Sequence, residues 1–267
     1  MTIKAIKDFV ESLYIGEFAI TEPSEIDIEA IAFEQQATVL EMPLSGCEAM
    51  IIGAGEKATI TVNSASDSRR KRFSVGHELG HWFKDRGKVG NLCSHNDMEN
   101  PSGISRHREN IANSYASELL VPTYLLKEHL AGSRLDLDLL SSIKSAFDTS
   151  FMMTLRRVIT SDHYMGHFVI YRKDGSRYLF DKSSTLPGCF FPTNTAPEGS
   201  KIHDLILNGL KSSPSEVDGS VWCREDWADD ATVHEHAFQY HDDMFISLVW
   251  WEDEEPIWQC VSSKEGL

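Results

Sequence analysis

The sequence lacks paired cysteine motifs, long apolar runs and an excess of positive charge, and each absence excludes a class of protein. Its five cysteines, Cys47, Cys93, Cys189, Cys223 and Cys260, are odd in number and widely spaced, with no CxxC pair. Neither a disulfide framework nor a zinc ribbon fits that pattern. No uninterrupted apolar stretch approaches the roughly 20 residues that a membrane span requires. The first ten residues place lysines and an aspartate where a secretory leader needs an apolar segment. These features predict a protein of the reducing cytoplasm with no membrane partner. Acidic residues outnumber basic ones 41 to 25, for a net charge of -16. Such a field repels phosphate and disfavours a general nucleic-acid binder.

What is present is a globular composition, 41% hydrophobic and 25% charged over 267 residues, with room for a substantial core. Apolar spacing predicts helices over residues 3–14 and 26–36, and short strands over 38–42, 49–52 and 58–62. Helices are expected over 68–84 and 105–120, the second ended by Pro122, with a long Gly/Asn/Ser/Pro-rich loop over 85–103 between them. Two more helices, 137–147 and 150–159, flank Asp148-Thr149. Their acidic neighbours Asp136, Asp138 and Asp148 suit core packing better than a DNA-reading helix-turn-helix. From residue 163 the character changes. A hairpin is expected around Lys173-Asp174-Gly175, then a helix near 202–210 and an aromatic strand over 245–251. The predicted class is α+β, with one domain of helices and a small sheet over 1–162 and a smaller mixed α/β domain over 163–267. Residues 1–162 carry 17 basic and 23 acidic groups, and residues 163–267 carry 8 and 18, so most of the acidity is C-terminal.

The chemistry concentrates in Phe73-Ser-Val-Gly-His77-Glu78-Leu-Gly-His81-Trp82. Histidines at i and i+4 on a helix project from one face and can share a metal ion, and the glutamate beside the first can deprotonate a water there. Two satisfied histidines on a buried helix are the plain alternative, and the amphipathic context with Gly80 beside the motif favours the metal. A catalytic zinc takes three protein ligands and keeps a position open. A metzincin would need a glycine and a third histidine where Lys84 and Gly87 stand, so that class is excluded. Glu109 on the next helix is the favoured third ligand, because it lies on the small-residue stripe of Ala112 and Ala116. Asn113, one turn on, could orient a ligand histidine. Asp97 and Glu99 in the loop are weaker choices.

Arg69-Arg-Lys-Arg-Phe-Ser-Val-Gly-His77-Glu78-Leu-Gly-His81, followed by Glu109-Asn-Ile-Ala112-Asn113-Ser-Tyr115-Ala116-Ser-Glu-Leu119-Leu120-Val-Pro122, resembles the ImmA/IrrE family of metallopeptidases. Tyr115 stands for the family's usual phenylalanine and Val121 for its methionine, neither at a metal position. The resemblance covers about residues 1–160. It implies a gluzincin-like fold, Zn2+ on His77, His81 and Glu109, and Glu78 as the catalytic base. It also implies a helix-turn-helix repressor as substrate, with release of genes for mobile-element transfer, DNA-damage response or phage defence.

Cys93 sits in the loop between the zinc helix and Glu109. A thiolate there is a candidate fourth, inhibitory ligand, against the plain reading of a small loop residue. Related peptidases of phage-defence operons use such a switch, which implies single-stranded DNA as a candidate activator. Arg69, Arg70, Lys71 and Arg72 form the densest basic run, either a solvated first helical turn or a contact for nucleic acid or substrate. Tyr115 and His107 are candidates for stabilising an oxyanion. An extended substrate is expected along a free edge at Ala58–Val62. His234 and His236 read as surface or cross-strand residues, and Trp222, Trp227, Trp250, Trp251 and Trp258 as core of the second domain. That domain reads as regulatory or substrate-selecting, resembling GAF or PAS domains by fold-level analogy only. The rival function is a non-enzymatic zinc-containing regulator that binds a repressor or single-stranded nucleic acid.

Overall fold

The computed structural model describes residues 2–88, 90–91, 103–186, 192–223, 228, 231–253, 255 and 257–258. The chain separates into two compact units, Met1–Ala131 with Ser142–Thr154, and Gly132–Ser141 with Leu155–Leu267. The class is α+β, with eight α-helices and two sheets among the described residues. No helix there is long and apolar enough to cross a membrane.

The first unit opens with α1 (Ile3–Leu13), capped by Thr2, whose hydroxyl accepts from Ala5 N. Its buried stripe is Ile6, Val10 and Leu13, while Ile3, expected on that stripe, is exposed in the first turn. Asp27 caps the short α2 (Ile28–Glu34). Strands β1 (Ala37–Met42), β2 (Ala49–Ala54), β3 (Lys57–Asn63) and β4 (Gly90–Asn91) form a sheet in the order β1-β3-β2-β4. The pairing of β1 with β3 is parallel, and β2 runs antiparallel to both β3 and β4. In β3, Ala58, Ile60 and Val62 are buried, as their alternation with threonines predicts. This strand is not the free edge expected for a substrate. It lies inside the sheet, with β1 and β2 hydrogen-bonded to its two sides. Alternation reports which face is covered and carries no information about strand order.

Against this sheet packs α3 (Ser68–Asp85), and α4 (Gly103–Leu120) packs on α3; α5 (Thr123–Leu130), α6 (Leu137–Ala146) and α7 (Phe151–Ile159) follow along the chain. The N-cap of α3 is Asp67, which accepts from Arg70 N. The Trp82 indole donates to Gln35 O at 2.8 Å, tying α3 to the end of α2. The buried Tyr14 hydroxyl donates to Leu119 O at 2.6 Å and ties the end of α1 to α4.

The second unit is built on a five-stranded antiparallel sheet in the order β6-β5-β9-β8-β7. Its strands are β5 (Met165–Arg172), β6 (Arg177–Lys182), β7 (Ser215–Asp218), β8 (Thr232–His241) and β9 (Met244–Trp251), with α8 (Lys201–Asn208) packed on it. The expected hairpin is β5–β6. Trp222, Trp250 and Trp251 are core, Trp258 is exposed, and Trp227 lies outside the described residues. His234 sits opposite Trp250 across β8 and β9, with the rings stacked. Between His234 and His236 the carboxylate of Glu235 is fully buried. It accepts from Lys201 N and Ile202 N at 2.9 Å each, from Trp222 Nε1 at 3.1 Å and from Ser247 Oγ at 2.8 Å. Two of those donors are the opening amides of α8, so Glu235 anchors that helix to the sheet while satisfying amides the helix itself cannot.

His167 on β5 is buried beside Trp222 and Trp251, with neither ring nitrogen hydrogen-bonded to a described residue. Burial, with the Lys182 charge adding, pushes its imidazole down to about 3. The folded state therefore keeps it neutral while the unfolded chain takes up a proton near the ordinary value. Stability contributed by this group is complete above about pH 6.5 and drains away as pH falls from there toward 3. Replacing His167 with Leu removes the drain. Between pH 7 and pH 5 the variant should lose about 2 kcal/mol less stability than the wild type, as read from urea midpoints at each pH. Parallel losses in the two proteins would contradict a neutral buried imidazole.

Candidate metal centre

The centre is built where α3 and α4 cross at close range. An ideal Cβ on Gly80 would lie 2.9 Å from Ala112 Cα and 2.9 Å from Tyr115 Cβ, and one on Gly76 would lie 3.2 Å from Ala116 Cα. No side chain fits at position 80 without moving backbone, so glycine there lets two helix backbones touch. The small residues of α4 that meet these glycines are the Ala112/Ala116 stripe.

At that contact the ligand atoms of His77, His81 and Glu109 all lie within 4.8 Å of one another. The His77 and His81 Nε2 atoms are 3.2 Å apart. One Glu109 carboxylate oxygen is 3.1 Å from His77 Nε2, and the other is 3.3 Å from His81 Nε2. His77 Nδ1 is 3.0 Å from Asn113 Oδ1, an acceptor, so Nδ1 donates there and Nε2 faces the cluster. Two imidazole nitrogens and a carboxylate thus converge on one point, an arrangement that a divalent cation would satisfy. The donor set, two nitrogens and one oxygen with the rest open, fits zinc in a catalytic rather than a structural role.

Protonation follows the same crowding. Burial pulls the His77 imidazole down, but the hydrogen bond to Glu109 and the charges of Glu78 and Glu109 leave it raised overall. The two imidazoles hold the Glu109 carboxyl well below the usual carboxylate range. Glu78 is 2% exposed, and burial pushes its carboxyl up. Its Oε2 atom has no hydrogen-bond partner among the described residues. A buried carboxylate oxygen left without a donor is costly, and here it flanks the ligand cluster.

A family profile described as the IrrE N-terminal-like domain of peptidase M78 matches residues 22–158. The chain belongs to this family. No curated protein matches it significantly. Among solved structures, a Mycobacterium tuberculosis transcriptional regulator aligns with a TM-score of 0.55 at 12% identity, over 92% of this chain and 75% of that one. At that identity the likeness is one of fold.

The other residues singled out in this IrrE-like chain fall in varied places. Cys93, with Asp97 and Glu99, lies outside the described residues. Arg69 Nε is 2.9 Å from Asp148, Arg70 Nε is 3.7 Å from Glu48, and Lys71 Nζ is 2.7 Å from Glu41. Arg72 donates to Ile26 O at 3.4 Å. The basic run is therefore matched within the chain rather than presented as a bare patch. His107 is exposed, while the Tyr115 ring is buried and packs edge-on against Phe9. Sequence reading took Arg108 only as a possible extension of the basic run and passed over Asp85, with which it pairs at 2.6 Å. Spacing puts Asp85 one helical turn after His81 on the same face, but carries no signal for its pairing with Arg108.

The helix contact gives a direct prediction. Gly80→Ala should destabilise the protein by about 1–3 kcal/mol through overpacking, and weaken zinc binding as α4 is pushed away. Gly16→Ala, where an added Cβ meets nothing within 4 Å, should leave both unchanged. Urea unfolding and chelator competition on the two variants measure the contrast.

Proposed function

We propose that this chain is a zinc-dependent endopeptidase that cuts a helix-turn-helix repressor at a single site and so relieves repression in a stress, DNA-damage or phage-defence response. The observation that carries the reading is the convergence of His77, His81 and Glu109 beside a buried Glu78 whose Oε2 lacks a partner among the described residues. Membership of a peptidase family and the regulator-like fold neighbour support it.

His77, His81 and Glu109 would hold the zinc. When bound, zinc supplies Lewis acidity, making a water more acidic and a scissile carbonyl more electrophilic. Asn113 holds His77 in the tautomer that leaves Nε2 free to coordinate. Glu78 accepts the proton of the attacking water as its oxygen bonds to the carbonyl carbon. The same carboxyl then delivers that proton to the amide nitrogen as the C–N bond breaks. A buried base beside the ligands keeps that proton out of bulk solvent between the two transfers.

Glu78→Gln preserves the shape but removes the base. The variant should retain zinc while cleavage of the repressor encoded by the neighbouring gene falls roughly 100- to 10,000-fold. Metal content and electrophoresis of the substrate report the two halves. Wild-type protein that holds stoichiometric zinc yet leaves every such repressor intact would support a non-enzymatic regulator instead.

A further inference from the structure

Asp85 is the last residue of α3, and at 3% exposure it is nearly as buried as His81, one turn before it. A carboxylate is unfavourable there on two counts. Burial strips its hydration, and the helix C-terminus already carries partial negative charge. Two cations offset this: Arg108 donates to Asp85 at 2.6 Å, and the Lys88 ammonium donates to its other oxygen. Together they hold the Asp85 carboxyl below the usual range against the effect of burial.

The place of the pair is more informative than its energy. Helices α3 and α4 run antiparallel, with Gly76 facing Ala116, Gly80 facing Ala112 and Asp85 facing Arg108. Glu109 lies between the last of the glycine contacts and this ion pair. Its two oxygens must address different imidazoles at 3.1 and 3.3 Å, which requires one rotation of the opening turns of α4 about their axis. The glycine contacts set how near the helices come, but a contact between small residues resists rotation weakly. A buried charge pair at Arg108, the residue immediately before Glu109, resists it strongly, because turning the helix would take from one Asp85 oxygen its Arg108 donor and leave only Lys88 on the other.

We propose that the Asp85–Arg108 ion pair is a positioning device that aims the Glu109 carboxylate at the two histidines. It rests on the reading of His77, His81 and Glu109 as metal ligands. Asp85 and Arg108 are positioning residues, since they act through Glu109 rather than on substrate.

The experiment is a double-mutant cycle on the full-length chain, read by zinc affinity in competition with a chromophoric chelator and by the visible absorption of the cobalt-substituted protein. Asp85→Asn should weaken zinc binding roughly 10- to 100-fold, the range for groups that orient ligands. Its cobalt spectrum should shift toward that of Glu109→Ala. In the Glu109→Ala background, Asp85→Asn should change affinity by no more than about two-fold, because the residue through which it acts is gone. Arg108→Gln should repeat the effect of Asp85→Asn, and Arg108→Lys should restore most of the affinity. If the losses from Asp85→Asn and Glu109→Ala multiply, or if neither Asp85→Asn nor Arg108→Gln weakens the metal, the positioning role is overturned while the metal centre stands. If wild-type protein binds neither zinc nor cobalt, the metal reading itself falls, and this proposal with it.

Discussion

The closeness of two helix backbones is the constraint on which the rest of this centre depends. Ligands drawn from α3 and α4 can meet at one point only if the helix axes approach nearer than ordinary side chains allow. Gly80 against Ala112 and Gly76 against Ala116 provide that approach. Two glycines inside one helix cost it about 1 kcal/mol each in intrinsic propensity, so α3 is a poor helix in isolation. It is held by what surrounds it: the Asp67 cap, the Trp82 bond to Gln35 O, and burial of Val75, Leu79 and Trp82. The residues that weaken the helix locally are those that bring the second helix within reach.

The same geometry explains how much of the site was legible in the sequence. A histidine pair one turn apart is a local pattern, and helical periodicity alone puts His77 and His81 on one face with Glu78 beside them. Glu109 is 28 positions beyond His81, yet the stripe of alanines following it announces a helix face that tolerates close packing. What spacing could not supply was an ion pair such as Asp85–Arg108, because pairing across two helices depends on their relative rotation. Strand order was equally silent. The threonine alternation of β3 gave its buried face correctly, whereas its interior position followed from β1 joining in parallel on one side and β2 on the other.

The second unit was less legible, for a physical reason. Sequence patterns assume that charge faces water, and β8 breaks that assumption with His234, Glu235 and His236 all buried. Glu235 is tolerated because two amides of α8, an indole and a hydroxyl donate to it. Those donors come from three separate segments, α8, Trp222 and β9, so no local window contains the compensation. A buried carboxylate of this kind specifies how a helix docks on a sheet more than it adds net stability, since its desolvation offsets much of what its hydrogen bonds contribute.

Charge also bears on how a partner would be recognised. The chain carries -16 overall, and the run from Arg69 to Arg72, where the sequence concentrates positive charge, is matched to Asp148, Glu48, Glu41 and Ile26 O. A phosphate backbone approaching α3 would have to displace those carboxylates, exchanging one anion for another with little gain from counterion release. The exposed pairs are individually weak, but together they match the cations of the first turn of α3 with partners among the described residues. The match disfavours a phosphate backbone as a partner of that turn, in keeping with the net charge of -16.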